Sequence, residues 1–220
     1  MKKALAAAIM STVLFIGCAN AEINHTDSIY YPRLDFYNMI STGDRIILTN
    51  YQTYQQTTEF SCGPAAALTV LNYFGEKNFD EAALIEAMET KEHTGTSLSN
   101  IVKFFKGIGW EVQSSFDEPP MDEFEFKKFV TKNLAAGVPI MVENVEWGGH
   151  WRVIIGCDGI GTAELEDDVL IFADPYDTSD HDQDGYSIGS LDRFYSMWFD
   201  RNILPENERN QPWLIATPKR

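Results

Sequence analysis

An α+β fold follows from the way the hydrophobic period changes along the chain. Up to about residue 137 apolar residues recur at helical spacing, and beyond it they fall in short β-rich runs. The late runs follow one another with only glycine or acidic turns between them, so their strands are expected to pair antiparallel. The expectation is a set of N-terminal helices packed on a C-terminal antiparallel sheet. No repeat and no Gly/Ser- or Pro-rich linker divides the 220 residues, which are 44% hydrophobic, enough for a single well-filled core.

The chain opens as a targeting segment. Lys2 and Lys3 precede the apolar stretch ALAAAIMSTVLFIG, which is too short to span a membrane comfortably. Ala19-Asn20-Ala21 offers a cleavage site, so residues 1–21 read as a signal peptide and the protein as exported, periplasmic or secreted. A second reading takes Leu14–Cys18 as a lipoprotein box, with Cys18 carrying a lipid anchor; a third is a buried N-terminal helix. Residues 22–45 read as an extended lead-in and 46–220 as the folded domain.

IILTNYQ (46–52) is a plausible strand. GPAAALTVLNYFG (63–75) reads as a helix, with Pro64 in the first turn and Gly75 as its stop. Asp80 is the expected N-cap of FDEAALIEAMET. In TSLSNIVKFFKG, Leu98, Ile101, Val102 and Phe105 fall on one face and Gly107 is the expected end. Asp122 should cap the next helix, with Phe126, Phe129, Val130 and Leu134 inward and Gly137 closing it. VPIMVENVEW, HWRVIIGC and DVLIFADP supply the strands.

Charge narrows the partners. The net charge is −16, and loss of Lys2 and Lys3 with the signal would take it to −18. Nucleic acid and anionic membrane surfaces are therefore disfavoured partners. No cofactor is implied by any motif.

Cys62 carries the chemistry. It stands just before Gly63-Pro64, where a helix begins, and there partial positive charge and unpaired N–H groups favour a thiolate. Among the four histidines, His25 lies near the start, His93 in a polar loop and His181 among aspartates. His150 instead heads the apolar strand HWRVIIG, where a buried imidazole needs a partner. Asp174 ends the strand VLIFA and could orient that imidazole. A structural role for His150 or a Cys62–Cys157 disulfide are the competing readings; Cys157 otherwise reads as a small buried hydrophobe.

Taken together, Gln56-x5-Cys62-Gly63-Pro64-Ala65-Ala66, GGHWRVIIGCDG and FADPYD resemble papain-like cysteine peptidases, in particular the bacteriocin-processing, double-glycine-leader branch. The resemblance covers roughly residues 50–200. It implies a papain-like fold, a peptide or protein substrate, Cys62 as nucleophile, His150 as base, Asp174 as orienting group and Gln56 as oxyanion donor. For Gln56 the plainer alternative is a helix cap or loop tether. Phytochelatin synthases share a similar Gln…Cys-Gly…His…Asp order, so a γ-glutamyl-cysteine transferase or glutathione hydrolase is the second reading. A non-catalytic peptide-binding module is the third.

DTSDHDQDGYS (177–187) contains Asp180, Asp182, Asp184 and Gly185, the first half of a calcium loop. The bidentate glutamate is missing, since the twelfth position is Leu191. Weak calcium binding, a solvated acidic turn and substrate contact are the three readings. Phe194, Trp198 and Phe199 after it are expected to pack in the interior.

Overall fold

Helix α1 (Cys62–Tyr73) is buried over ten consecutive residues from Cys62 to Leu71, so it runs through the interior rather than across the surface. Its small residues make that possible: Ala65, Ala66 and Ala67 have no exposed surface. The computed structural model describes residues 38–162, 165–178, 183–201 and 203–219, all within one compact unit, Asp35–Arg220. The signal segment, Cys18, His25, most of the lead-in, Asp180, His181 and Asp182 lie outside the described residues. Residues 38–44 are turns and coil leading into strand β1 (Arg45–Ile47), a shorter strand than 46–52.

Helices α2 (Glu81–Ala87), α3 (Leu98–Gly107) and α4 (Glu123–Ala135) begin where their capping residues place them. Asp80 accepts from the Ala83 N–H, Ser97 from Asn100, and Asp122 forms a reciprocal capping box with Glu125. Gly75 and Gly137 close α1 and α4 in left-handed conformations, as expected. Gly107 is the last helical residue of α3 rather than its cap; Ile108 is the cap, and Gly109 takes the left-handed position.

Among the described residues seven strands form one antiparallel sheet. Besides β1 they are β2 (Glu111–Ser114), β3 (Ile140–Asn144), β4 (His150–Asp158), β5 (Val169–Ala173), β6 (Tyr186–Ser190) and β7 (Trp213–Thr217). The order is β2-β7-β3-β4-β5-β6, with β1 pairing the far half of β4 beyond the end of β3. A short helix α5 (Leu191–Ser196) follows β6. The sequence reading located β3, β4 and β5 but not β2, β6 or β7.

Helices cover both faces of this sheet. Consecutive strand residues point to opposite sides, and Trp151 and Arg152 show what lies on each. Trp151 meets the start of α1 at Gly63 and donates its indole N–H to Thr96 O at 3.0 Å. Arg152 lies over the Phe172 ring (4.3 Å) and the Phe194 ring of α5 (5.6 Å). Phe126 of α4 stacks on Phe194 and touches Trp198, so those aromatics fill the second core layer. Among the described residues no helix is long and apolar enough to cross a membrane.

Candidate active site

Three elements converge at one end of the sheet. Cys62 is the first residue of α1, His150 the first of β4, and Asp174 the residue just past β5. The α1 start is held from outside. Glu81 of α2, itself buried, accepts from the Ser61 hydroxyl at 2.6 Å, the Thr57 N–H and the Tyr54 hydroxyl. Gly63 lets the helix end approach closely, because a Cβ there would fall 2.9 Å from Thr96 Cβ.

His150 is 3% exposed, and its Nε2 lies 2.6 Å from Asp174 Oδ1. That contact leaves Nδ1 for Cys62, whose thiol lies near enough for the imidazole to lower its pKa. Asp174 is fixed in turn. Its Oδ1 accepts from the Tyr176 N–H (3.0 Å), its Oδ2 from the Ser187 hydroxyl (3.1 Å), and Arg152 Nη1 stands 3.6 Å from Oδ2. Ser187, Arg152 and Glu81 were not singled out from the sequence. Ser187 lies opposite Phe172 on a strand that an acidic stretch concealed.

The electrostatics favour an ion pair between thiolate and imidazolium. Burial by itself raises the Cys62 pKa. The His150 bond and charge, with the N–H groups of Trp151 and Gly63, reverse this and bring it below that of an ordinary thiol. Burial lowers the His150 pKa, but Asp174 and Cys62 hold the ring proton and raise it overall. Burial also opposes Asp174 ionisation, yet His150 and Arg152 keep its carboxyl well below the usual carboxylate range. Cys157 contrasts with Cys62. Both are free cysteines, so no disulfide joins them, and burial pushes the Cys157 thiol up to about 12.

Gln56 is anchored near this cluster, its backbone N–H donating to Pro175 O at 2.9 Å. Its side-chain Nε2 donates to Thr58 O at 2.8 Å, while Oε1 is buried without a partner among the described residues. No hydrogen bond joins it to Cys62 or His150 among the described residues. Gln55 holds the cluster from the other side, donating to Asp174 O at 3.0 Å. In the acidic turn, Asp184 accepts from the Tyr186 N–H and, through its carbonyl, from the Thr53 hydroxyl. No group of three or more metal-ligating side chains is present among the described residues.

A cleft of about 200 Å³ opens at Cys62, bounded by Trp147, Gly149, Trp151 and Glu143. Glu143 and its neighbour Asp200 are buried carboxyls that the sequence reading also passed over. The signal for Glu143 was present, as a charged residue inside the apolar run IMVEN.

Among solved structures, the peptidase domain of Streptococcus ComA, a bifunctional ABC transporter of a quorum-sensing pathway, superposes with a TM-score of 0.54. The two share 20% identity over 77% of this chain and 100% of that one, a likeness of fold. A double-glycine-motif protease from an AMS/PCAT transporter, solved with its leader peptide, aligns at 15% identity and a TM-score of 0.49. It covers 79% of this chain and 99% of its own. No curated protein sequence matches the chain. Residues 43–196 match the family described as papain-like cysteine protease AvrRpt2, a span that includes the helix-start cysteine, the strand-start histidine and the aspartate after β5. With the papain-like architecture already evident in the fold, the chain belongs to the papain-like cysteine protease AvrRpt2 family and is a cysteine peptidase.

Proposed function

We propose that the protein is an exported peptidase that hydrolyses peptide bonds through Cys62, His150 and Asp174, with Gln56 as an oxyanion donor. The observation that carries this reading is His150 bonded to the Asp174 carboxylate and lowering the pKa of a thiol at a helix start. The Cys62 thiolate attacks the substrate carbonyl, forming a C–S bond and placing the electron pair on oxygen. That oxygen is stabilised by backbone N–H groups at the α1 start and by the second N–H of Gln56, the first being held by Thr58 O. Collapse breaks the C–N bond as imidazolium protonates the leaving amine. Water, deprotonated by His150, then attacks the thioester and releases acid and free thiol. Asp174 keeps the ring oriented throughout. Export rests on Lys2, Lys3 and the apolar stretch after them.

An electrophilic thiol probe applied across pH provides the test. Cys62 is expected to label well below pH 8.5, the ordinary thiol value, while Cys157 stays unlabelled. Removal of His150 or Cys62 singly should cost about as much peptidase activity as removing both. Asp174→Asn should cost less than His150→Ala. Cys62 labelling only above about pH 8.5, or additive losses in the double variant, would refute the triad. Intact-mass measurement of secreted material should find the N-terminus at Glu22.

A further inference from the structure

Glu143 sits on β3 next to Trp151 of β4, with 1% of its surface exposed. Neither of its carboxyl oxygens has a hydrogen-bond donor among the described residues, and Asp200 Oδ2 is in the same position. The two carboxyls meet, and a proton shared between them relieves their repulsion. Burial and the Asp200 charge accordingly push the Glu143 pKa up to about 9. Asp200 Oδ1 is already engaged by the Ile203 and Leu204 N–H groups, both at 2.9 Å, with Arg209 Nε at 3.9 Å. Oδ2 and both Glu143 oxygens remain for another donor.

Glu143 lines the Cys62 cleft, and Asp200 stands directly behind it. A Cβ on Gly149, the residue before His150, would come within 3.1 Å of both Glu143 Oε1 and Asp200 Oδ2. Gly149 therefore keeps the way to the pair open, and its φ of 134° suits glycine. Glu59, Glu92 and His93 also line the cleft; among the described residues no lysine or arginine does. Its walls include the indoles of Trp147 and Trp151, and Trp147 is 71% exposed. Aromatic walls suit an aliphatic stem that ends in a cation.

We propose that this cleft is a substrate subsite for a lysine or arginine side chain next to the scissile bond, with Glu143 and Asp200 as its specificity-determining floor. The inference rests on the peptidase reading and adds the substrate class. The incoming cation brings its own N–H donors to the unpartnered oxygens, and the shared proton leaves for solvent. A neutral side chain of the same length leaves the pair as it was. A negative one meets four carboxyl groups and is rejected.

The test uses the full chain and two matched sets of peptides. One carries lysine, norleucine or glutamate at each position around the cleavage site. The other carries the same residues in front of a thiol-reactive warhead, which reports Cys62 modification without any turnover. Lysine should exceed norleucine at one position by about 10- to 100-fold in kcat/KM and in inactivation rate, the worth of a charge-assisted bond to a buried group. Glu143→Gln and Asp200→Asn, both isosteric, should each remove most of that preference, bringing the lysine-to-norleucine ratio close to one. Asparagine keeps the Oδ1 acceptor for Ile203 and Leu204, so the second variant guards against a folding defect in the first. Equal rates for lysine and norleucine in an enzyme that cleaves peptides would overturn the subsite alone. An unchanged preference in both variants would do so too. If the simple thiol probe does not label Cys62 at all, the peptidase reading fails instead.

Discussion

A single proton held between Glu143 and Asp200 has a thermodynamic signature of its own. In the unfolded chain Glu143 releases its proton near pH 4.3; in the fold it keeps it to about 9. Between those values the folded state binds the extra proton, so this group makes stability fall as pH rises. Glu143→Gln should therefore raise stability at pH 8, on the order of a few kcal/mol, with the gain vanishing below about pH 4.3. Urea unfolding of both proteins at pH 4 and pH 8 checks it; an equal difference at the two pH values would contradict the shared proton. Asp174 contributes in the opposite direction. Its depressed pKa adds stability above the unfolded carboxylate value, lost as pH falls through the folded one. Cys62, His150 and Asp174 could be found in the sequence because each marks an element boundary: a helix start, a strand start, a strand end. Glu143 showed only as a charge inside an apolar run, and its pairing with Asp200 could not be read, because it is a contact between residues 57 positions apart.

At the scale of elements, the tight approach of α1 to β4 rests on the absence of a side chain at Gly63. Gly63→Ala would place a methyl 2.9 Å from Thr96 Cβ and Oγ1 and 3.4 Å from Trp151. We expect it to destabilise by about 1–3 kcal/mol, the usual cost of overpacking. Gly107, inside α3, has nothing within 4 Å of the same methyl. Gly107→Ala should stabilise by about 0.5–1 kcal/mol through helix propensity. Chemical denaturation of the two variants side by side distinguishes packing from propensity, and losses of the same sign would contradict the account. The helices were legible because caps and periodicity are local signals; Asp80 and Asp122 act where the sequence places them. The missed strands lack such signals. β2 is the half-polar edge EVQS, β6 is the glycine-containing YSIGS beside acidic residues, and WLIAT of β7 follows loops with no alternating pattern.

For the molecule as a whole, the connection of the sheet matters most. β7 is last in the chain, yet it lies between β2 and β3, with Val112 paired to Ala216 on one side and Met141 to Leu214 on the other. Trp213 and Leu214 are buried there, and the Trp198 indole donates to Pro212 O just before the strand. A chain cut before Trp213 should lose cooperative unfolding and all labelling of Cys62 by the thiol probe, whereas one cut after Thr217 should keep both. Nucleophile and base are translated long before that strand leaves the ribosome. The neighbour of β4 that carries Glu143 cannot settle until its other flank is filled. Cys62 is therefore expected to gain its full reactivity only once residues 213–217 have joined the sheet, so a ribosome-stalled chain ending before Trp213 should resist the thiol probe.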